Sequence, residues 1–228
     1  MIVSIPPKPI DDYTFDAHGF VVHRGLIPDS DIDRYVEFWH ANLGFDSNPR
    51  YSPEFTEFRY LYTDMPEVRD LLCHPQVRWA FEQLDLGDLA VHSDILAWHH
   101  AGIPFHCDVL NETETPHCGV WIALDDIPVE AGRFQIYAES HRWDKYLPDC
   151  GLTPTSTESS YHVQELIAGT LMEPVTFDAR KGDILIWNTH CLHGAEKQQD
   201  GFPRKIAIAH VGEEQNKVRH NDGMWYVP

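Results

Sequence analysis

Apolar positions change their rhythm once along the chain. In the first third they recur at helical spacing: Ile32, Tyr35, Val36, Trp39 and Leu43 follow Ser30 and Asp33, which read as a capping-box-like start. Two shorter helices are predicted after Pro66 and Pro75, since proline suits the first turn, where its missing N–H costs nothing. Their apolar faces are Val68, Leu71 and Leu72, then Val77, Ala80, Phe81 and Leu84. From about residue 89 the pattern shifts to short β-like runs broken by Gly, Pro and Asp. The runs are 89–98, 119–124, 134–137, 171–177, 183–187 and 205–211. Many short strands after a helical opening predict a mainly β fold of jelly-roll type with helices packed outside. The stretch 148–160 is rich in Ser, Thr and Pro without periodicity, and reads as a surface loop or a lid over a site.

Composition narrows the functional classes. The 228 residues carry 17 Lys+Arg against 36 Asp+Glu, a net charge of −19. That balance argues against nucleic acid and against anionic membrane surfaces, both of which need clustered basic residues. The N-terminus has no basic segment leading into an apolar stretch, and no run approaches the length of a membrane span. Five cysteines without a CxxC pair point to a reducing compartment, so a cytoplasmic protein is expected. The length suits one domain, 1–228, without repeats or linkers.

Fifteen histidines invite a search for a metal site. Non-haem Fe(II) oxygenases hold the metal with two histidines and a carboxylate, leaving the other positions open. His-x-Asp on a strand supplies two ligands, because residues i and i+2 point to one side. The pair alone is weak evidence: random placement would give about one, and the chain has three, His92/Asp94, His106/Asp108 and His220/Asp222. The last lies in a polar tail, and the first reads as a surface or strand-edge pair. His106/Asp108 follows a turn and precedes further β character. Downstream, GDILIWNTHCLHGAEKQQDGFPRKIAIAHV contains a strand, a His-Gly, a polar turn and a strand opened by Arg204. A histidine ending one strand and an arginine opening the next would meet in a hairpin. The guanidinium could then bind the far end of a dicarboxylate.

These segments together resemble the phytanoyl-CoA dioxygenase family of Fe(II)/2-oxoglutarate-dependent oxygenases. FDAHGFVVHRGLIPDSDIDRY is similar to the family's opening strand and capped helix. HCD at 106–108 matches its His-x-Asp, and WIALDDIPVEAGRFQIYAESHR is similar to the stretch that follows. KGDILIWNTHCLHGAEKQQDGFPRKIAIAHV resembles the closing strands with the distal His-Gly and Arg. The resemblance implies a double-stranded β-helix (jelly-roll, cupin-like) and a metal set of His106, Asp108 and His193. It places Arg204 and Trp121 at the cosubstrate. Fe(II), 2-oxoglutarate and O2 are the implied cofactor and cosubstrates. His190 is then a hydrogen-bonded core or pocket residue.

The sequence departs from the family pattern at Cys107, expected to pack away from the metal. It departs again at Ala195, where a hydroxyl residue commonly helps hold the cosubstrate, and at the Ala138–His141 turn. Asp108 favours hydroxylation, desaturation or epoxidation over halogenation, which needs the carboxylate position vacated for a halide. Without a Lys/Arg cluster for the phosphates of a CoA thioester, the expected substrate is a small neutral or cationic metabolite or natural-product intermediate. Trp98, Trp121, Trp143, Trp187 and Trp225 could line its cleft, although core packing accounts for most of them. The alternative is a non-catalytic jelly-roll ligand-binding protein with an incidental metal. The sequence leaves the oligomeric state open.

Overall fold

The period-2 segments become strands of two sheets, and the period-3.6 segments become helices against one of them. The computed structural model describes residues 7–43, 56–59, 61–86, 89–99, 102–108, 118–145, 172–213, 217–221 and 223–227. In chain order the elements are α1 (Phe15–His18), β1 (Phe20–His23), α2 (Asp29–Leu43), β2 (Thr56–Arg59), α3 (Pro66–Leu72), α4 (Pro75–Glu82), β3 (Ala90–His99), β4 (Ile103–His106), β5 (Cys118–Ala123), β6 (Phe134–Ile136), β7 (Val175–Phe177), β8 (Ile184–Asn188), β9 (His193–Ala195), β10 (Ile206–Gly212), β11 (Val218–Arg219) and β12 (Trp225–Tyr226). The larger sheet runs β1-β8-β5-β10-β3-β12-β11, with β2 on β3, and the smaller runs β4-β9-β6-β7. This is the mainly β, jelly-roll fold that the short strands predicted.

Strand parity divides the core into two layers. Val120 and Ile122 of β5, Ile184 and Ile186 of β8, and Ala207, Ala209 and Val211 of β10 point to the helices. There they meet Ile32, Tyr35 and Trp39 of α2, Val68, Leu71 and Leu72 of α3, and Val77, Ala80 and Phe81 of α4. The alternate residues Trp121, Ala123, Leu185, Trp187 and Ile206 face Phe134, Ile136, Val175 and Phe177 of the smaller sheet. Both faces of β5 are therefore buried, as befits a central strand. Each fully buried large apolar side chain contributes roughly 1.5–3 kcal/mol, so the helices stabilise the sheet without reaching the space between the sheets.

The helices at Pro66 and Pro75 start on those prolines, as predicted. In α2, the amides of Asp31 and Ile32 already bond to Pro28 O, so Ser30 lies inside the first turn and does not cap it. The strand expected over 171–177 is regular only from Val175, after Pro174, which has no N–H to give a ladder. The hairpin expected between His193 and Arg204 is replaced by a crossing between sheets. β8 stays in the larger sheet, β9 joins the smaller one beside β4 and β6, and the chain returns to the larger sheet as β10. The 148–160 stretch lies outside the described residues.

Candidate metal centre

The strand pairing brings the two histidines together. His106 ends β4 and His193 begins β9, and the two are register partners in the smaller sheet. Gly194 permits this approach: a Cβ there would fall 2.7 Å from Ile103 O, so a side chain would push β4 away. Asp108 follows two residues after His106, its amide donating to Thr189 O at 2.9 Å in the turn after β8. Cys107 points away, its thiol donating to His190 O at 3.2 Å, and it packs with Tyr137 and Leu192, as expected for a buried spacer.

The donor atoms converge. His106 Nε2 lies 3.4 Å from Asp108 Oδ1, and His193 Nε2 lies 3.4 Å from Asp108 Oδ2. One ligand atom from each of the three residues can be chosen so that all lie within 4.8 Å of one another. The remaining ring nitrogens are tied back to carbonyls: His106 Nδ1 to Pro104 O at 2.9 Å and His193 Nδ1 to Cys191 O at 3.0 Å. A carbonyl only accepts, so each neutral Nδ1 carries the proton and each Nε2 presents a lone pair inward. Two lone pairs and a carboxylate aimed at one point suit a divalent cation, and the two-nitrogen, one-carboxylate set suits Fe(II).

Electrostatics follow from burial and proximity. Burial pushes the Asp108 carboxyl up, but His193, His106 and His210 more than offset this and hold it well below the usual carboxylate range. Burial dominates for His193, whose imidazole is lowered to about 4 despite Asp108. For His106, burial lowers the pKa, yet the hydrogen bond and charge of Asp108 leave it raised. His193 therefore stays neutral and able to bind metal across the physiological range.

Arg204 and Trp121 line the same cavity as the three residues, together with Ile103, Phe134, Ala195 and Ile208. Arg204 is 2% exposed and donates from Nη1 to Gly132 O at 2.9 Å, immediately before β10. Trp121 projects from β5 against Phe177, with ring centres 5.2 Å apart. All five residues singled out in the sequence thus reach one cavity between the sheets. His190 does not: it is exposed on the turn after β8, where its amide and ring both bond to Asn188 Oδ1. Asp94, read as part of a surface pair, is 1% exposed on the helix side and accepts the Tyr62 amide. His220 pairs with Asp70 at 2.7 Å, away from the cavity.

One cavity residue, His210, escaped the sequence reading, and Trp187, read there only as a possible cleft tryptophan, has a sharper role. His210 lies on β10 with its Nε2 3.5 Å from Asp108 Oδ2, and Trp187 on β8 donates its indole N–H to the same oxygen at 3.0 Å. The available signal for His210 was parity, since Arg204, Ile206, Ile208 and His210 alternate onto one face.

Known proteins agree with this architecture. No curated protein matches the chain by sequence. Solved structures share the fold, among them three described next. The non-heme alpha-ketoglutarate-dependent carbocyclase SnoK from nogalamycin biosynthesis is 17% identical, covers 90% of this chain and 86% of its own, and has a TM-score of 0.72. The epimerase SnoN from the same biosynthesis is 19% identical over 87% of this chain and 79% of its own, with a TM-score of 0.68. HygX from Streptomyces hygroscopicus, with nickel and 2-oxoglutarate bound, is 15% identical over 87% of this chain and 84% of its own, with a TM-score of 0.63. HygX also has a structure with hygromycin B bound. No helix among the described residues is long and apolar enough to cross a membrane. The family model for phytanoyl-CoA dioxygenase matches residues 15–206, from α1 to the first residue of β10. The chain therefore belongs to the phytanoyl-CoA dioxygenase family of Fe(II)/2-oxoglutarate-dependent enzymes.

Proposed function

We propose that His106, Asp108 and His193 hold the iron, that Arg204 anchors 2-oxoglutarate, and that the enzyme oxidises a C–H bond of a small neutral or cationic metabolite. The observation that carries the reading is the convergence of the three donor groups in one cavity with the buried Arg204 guanidinium. Iron with 2-oxoglutarate and O2 supplies the oxidative chemistry: 2-oxoglutarate becomes succinate and CO2 while the substrate C–H bond becomes C–OH.

The protein's part is positioning and exclusion of water. Pro104 and Cys191 carbonyls fix the two imidazoles with Nε2 inward. The guanidinium of Arg204, steadied by Gly132 O, pairs with the distal carboxylate of the cosubstrate through charge-assisted hydrogen bonds. Trp121, Phe134 and Ile208 give that cosubstrate an apolar wall, which strengthens the ion pair by lowering the local dielectric. Asp108 occupies the position a halide would need, so hydroxylation, desaturation or epoxidation is favoured over halogenation. SnoK and SnoN come from nogalamycin biosynthesis, and HygX binds hygromycin B, which supports a natural-product intermediate as substrate. The four cysteines among the described residues are buried free thiols, which suits a cytoplasmic setting.

The test is spectroscopic first and catalytic second. Fe(II) and 2-oxoglutarate added without oxygen should give a visible metal-to-ligand charge-transfer band that His193→Ala abolishes. Admission of air with a panel of small metabolites should then release succinate above the uncoupled background for the true substrate class. A band that survives both His193→Ala and Asp108→Ala would refute the assignment of the ligands.

A further inference from the structure

Asp108 is held from behind as well as from the front. Its Oδ2 takes the indole N–H of Trp187 at 3.0 Å, with His210 Nε2 3.5 Å away and His193 Nε2 3.4 Å away, while Oδ1 faces His106. The direction of the Trp187 N–H is set by packing. The indole is 1% exposed and lies in register between Phe20 of β1 and Gly119 of β5. A Cβ at Gly119 would fall 2.0 Å from the ring, so only glycine leaves room for it. Phe134 and His193 close the other sides, with ring centres 5.4 and 5.2 Å away.

His210 differs from the two other imidazoles in what stands behind its ring. His106 and His193 have carbonyls at Nδ1, so their Nε2 atoms present lone pairs. His210 Nδ1 faces the Ser93 hydroxyl at 2.9 Å, and a hydroxyl can donate. The carboxylate opposite Nε2 only accepts, so the ring nitrogen facing it carries the hydrogen. Three histidines surround one aspartate, and their backing groups sort them into two lone-pair donors and one proton donor.

We infer that Trp187 and His210 are positioning residues that engage Asp108 Oδ2, so that the carboxylate binds the metal through Oδ1 alone. The inference rests on the assignment of Asp108 as a ligand and goes beyond it. Two imidazoles and one carboxylate oxygen would hold the metal, leaving its other positions to the cosubstrates. A chelating aspartate would take one of them.

Affinity for Co(II), followed by affinity of the Co(II) protein for 2-oxoglutarate, tests this by isothermal titration without turnover. Trp187→Phe and His210→Leu each remove one donor and should weaken metal or cosubstrate binding by about 10–100-fold. His210→Gln keeps an N–H donor and should recover most of the loss. Ser93→Ala acts from outside the cavity and should weaken binding a few-fold, which guards against misfolding of the Trp187 variant. Melting of the metal-free proteins reports folding separately. The inference is overturned if Trp187→Phe and His210→Leu bind both ligands as wild type does, or if His210→Gln loses as much as His210→Leu. Wild-type protein that binds Co(II) but never releases succinate would sink the oxidation reading while the affinity series still decides the inference. Wild-type protein that binds no Co(II) would overturn both.

Discussion

The contact between Gly119 and Trp187 allows one prediction to be worked through quantitatively. Gly119 has ordinary strand backbone, so its lack of a side chain answers a demand for space and not for an unusual dihedral angle. Alanine would place a methyl carbon 2.0–2.3 Å from three atoms of the indole, where carbon–carbon contact needs about 3.5–4.0 Å. The ring would have to retreat by roughly 1.5 Å, and Phe20, Phe134 and His193 leave it no free direction. Overpacking of this kind costs about 1–3 kcal/mol. Loss of the hydrogen bond to the Asp108 carboxylate costs about 1.5–3 kcal/mol more. Gly119→Ala should therefore destabilise the protein by about 2.5–6 kcal/mol, measured by equilibrium urea unfolding followed by circular dichroism with a chelator present. In a Trp187→Leu background the obstacle is gone, and the same change should be neutral or stabilise by about 0.5–1 kcal/mol, because glycine in a strand is entropically costly. The double-mutant cycle is decisive through this change of sign. An equal cost of Gly119→Ala in both backgrounds would refute the argument.

Other residues give independent tests. Arg204→Ala should raise the 2-oxoglutarate concentration needed for half-maximal succinate release by about 10- to 150-fold, the worth of a hydrogen-bonded charge pair, with Fe(II) affinity nearly unchanged. Equal loss of both would make Arg204 structural. Asp94 is 1% exposed, and burial raises its carboxyl to about 6, against the hydrogen bonds from the Tyr62 and Leu61 amides. The native state then keeps this proton up to about pH 6, whereas the unfolded chain releases it near pH 4, so stability falls as pH rises through that window. Asp94→Asn should gain on wild type by about 3 kcal/mol between pH 4 and 7 in urea midpoints converted to free energy. A pH-independent difference would contradict the assignment.

Helices and central strands were legible in the sequence because each has enough residues for a period to show. The prolines at 66 and 75 with their apolar faces, and the doubly apolar runs of β5 and β8, are examples. The strands that carry His106 and His193 were not among those read, because Pro104 in β4 and Gly194 in β9 break the apolar alternation that the equally short β6 and β7 keep. His106, Asp108 and His193 were reached through motif order instead, and the geometry that joins β4 to β9 across the chain was invisible. The mistaken hairpin has the same origin: a short polar turn between two apolar runs looks alike whether the chain folds back or crosses to another sheet. The role of Trp187 was hidden for another reason. Its burial is what a core tryptophan shows, and only coordinates reveal that its N–H is spent on a carboxylate.

The order of strands in the larger sheet has a consequence for synthesis. Phe20 of β1 takes its partner Trp187 from β8, and β3 and β5 both wait for β10 between them. A ribosome delivers β1, β3 and β5 long before β8 and β10, so the early strands emerge with apolar faces and unsatisfied edges. Pairing between distant segments is slow because loop closure comes before the contacts that reward it. α2, α3 and α4 emerge early too, and their apolar faces can cover one face of the nascent β3 and β5, the face they also cover in the folded protein, while the strand edges still wait. A translational pause or truncation before residue 206 would leave β3 and β5 without the strand that joins them, and such a chain would go to chaperones or aggregate before the cavity exists.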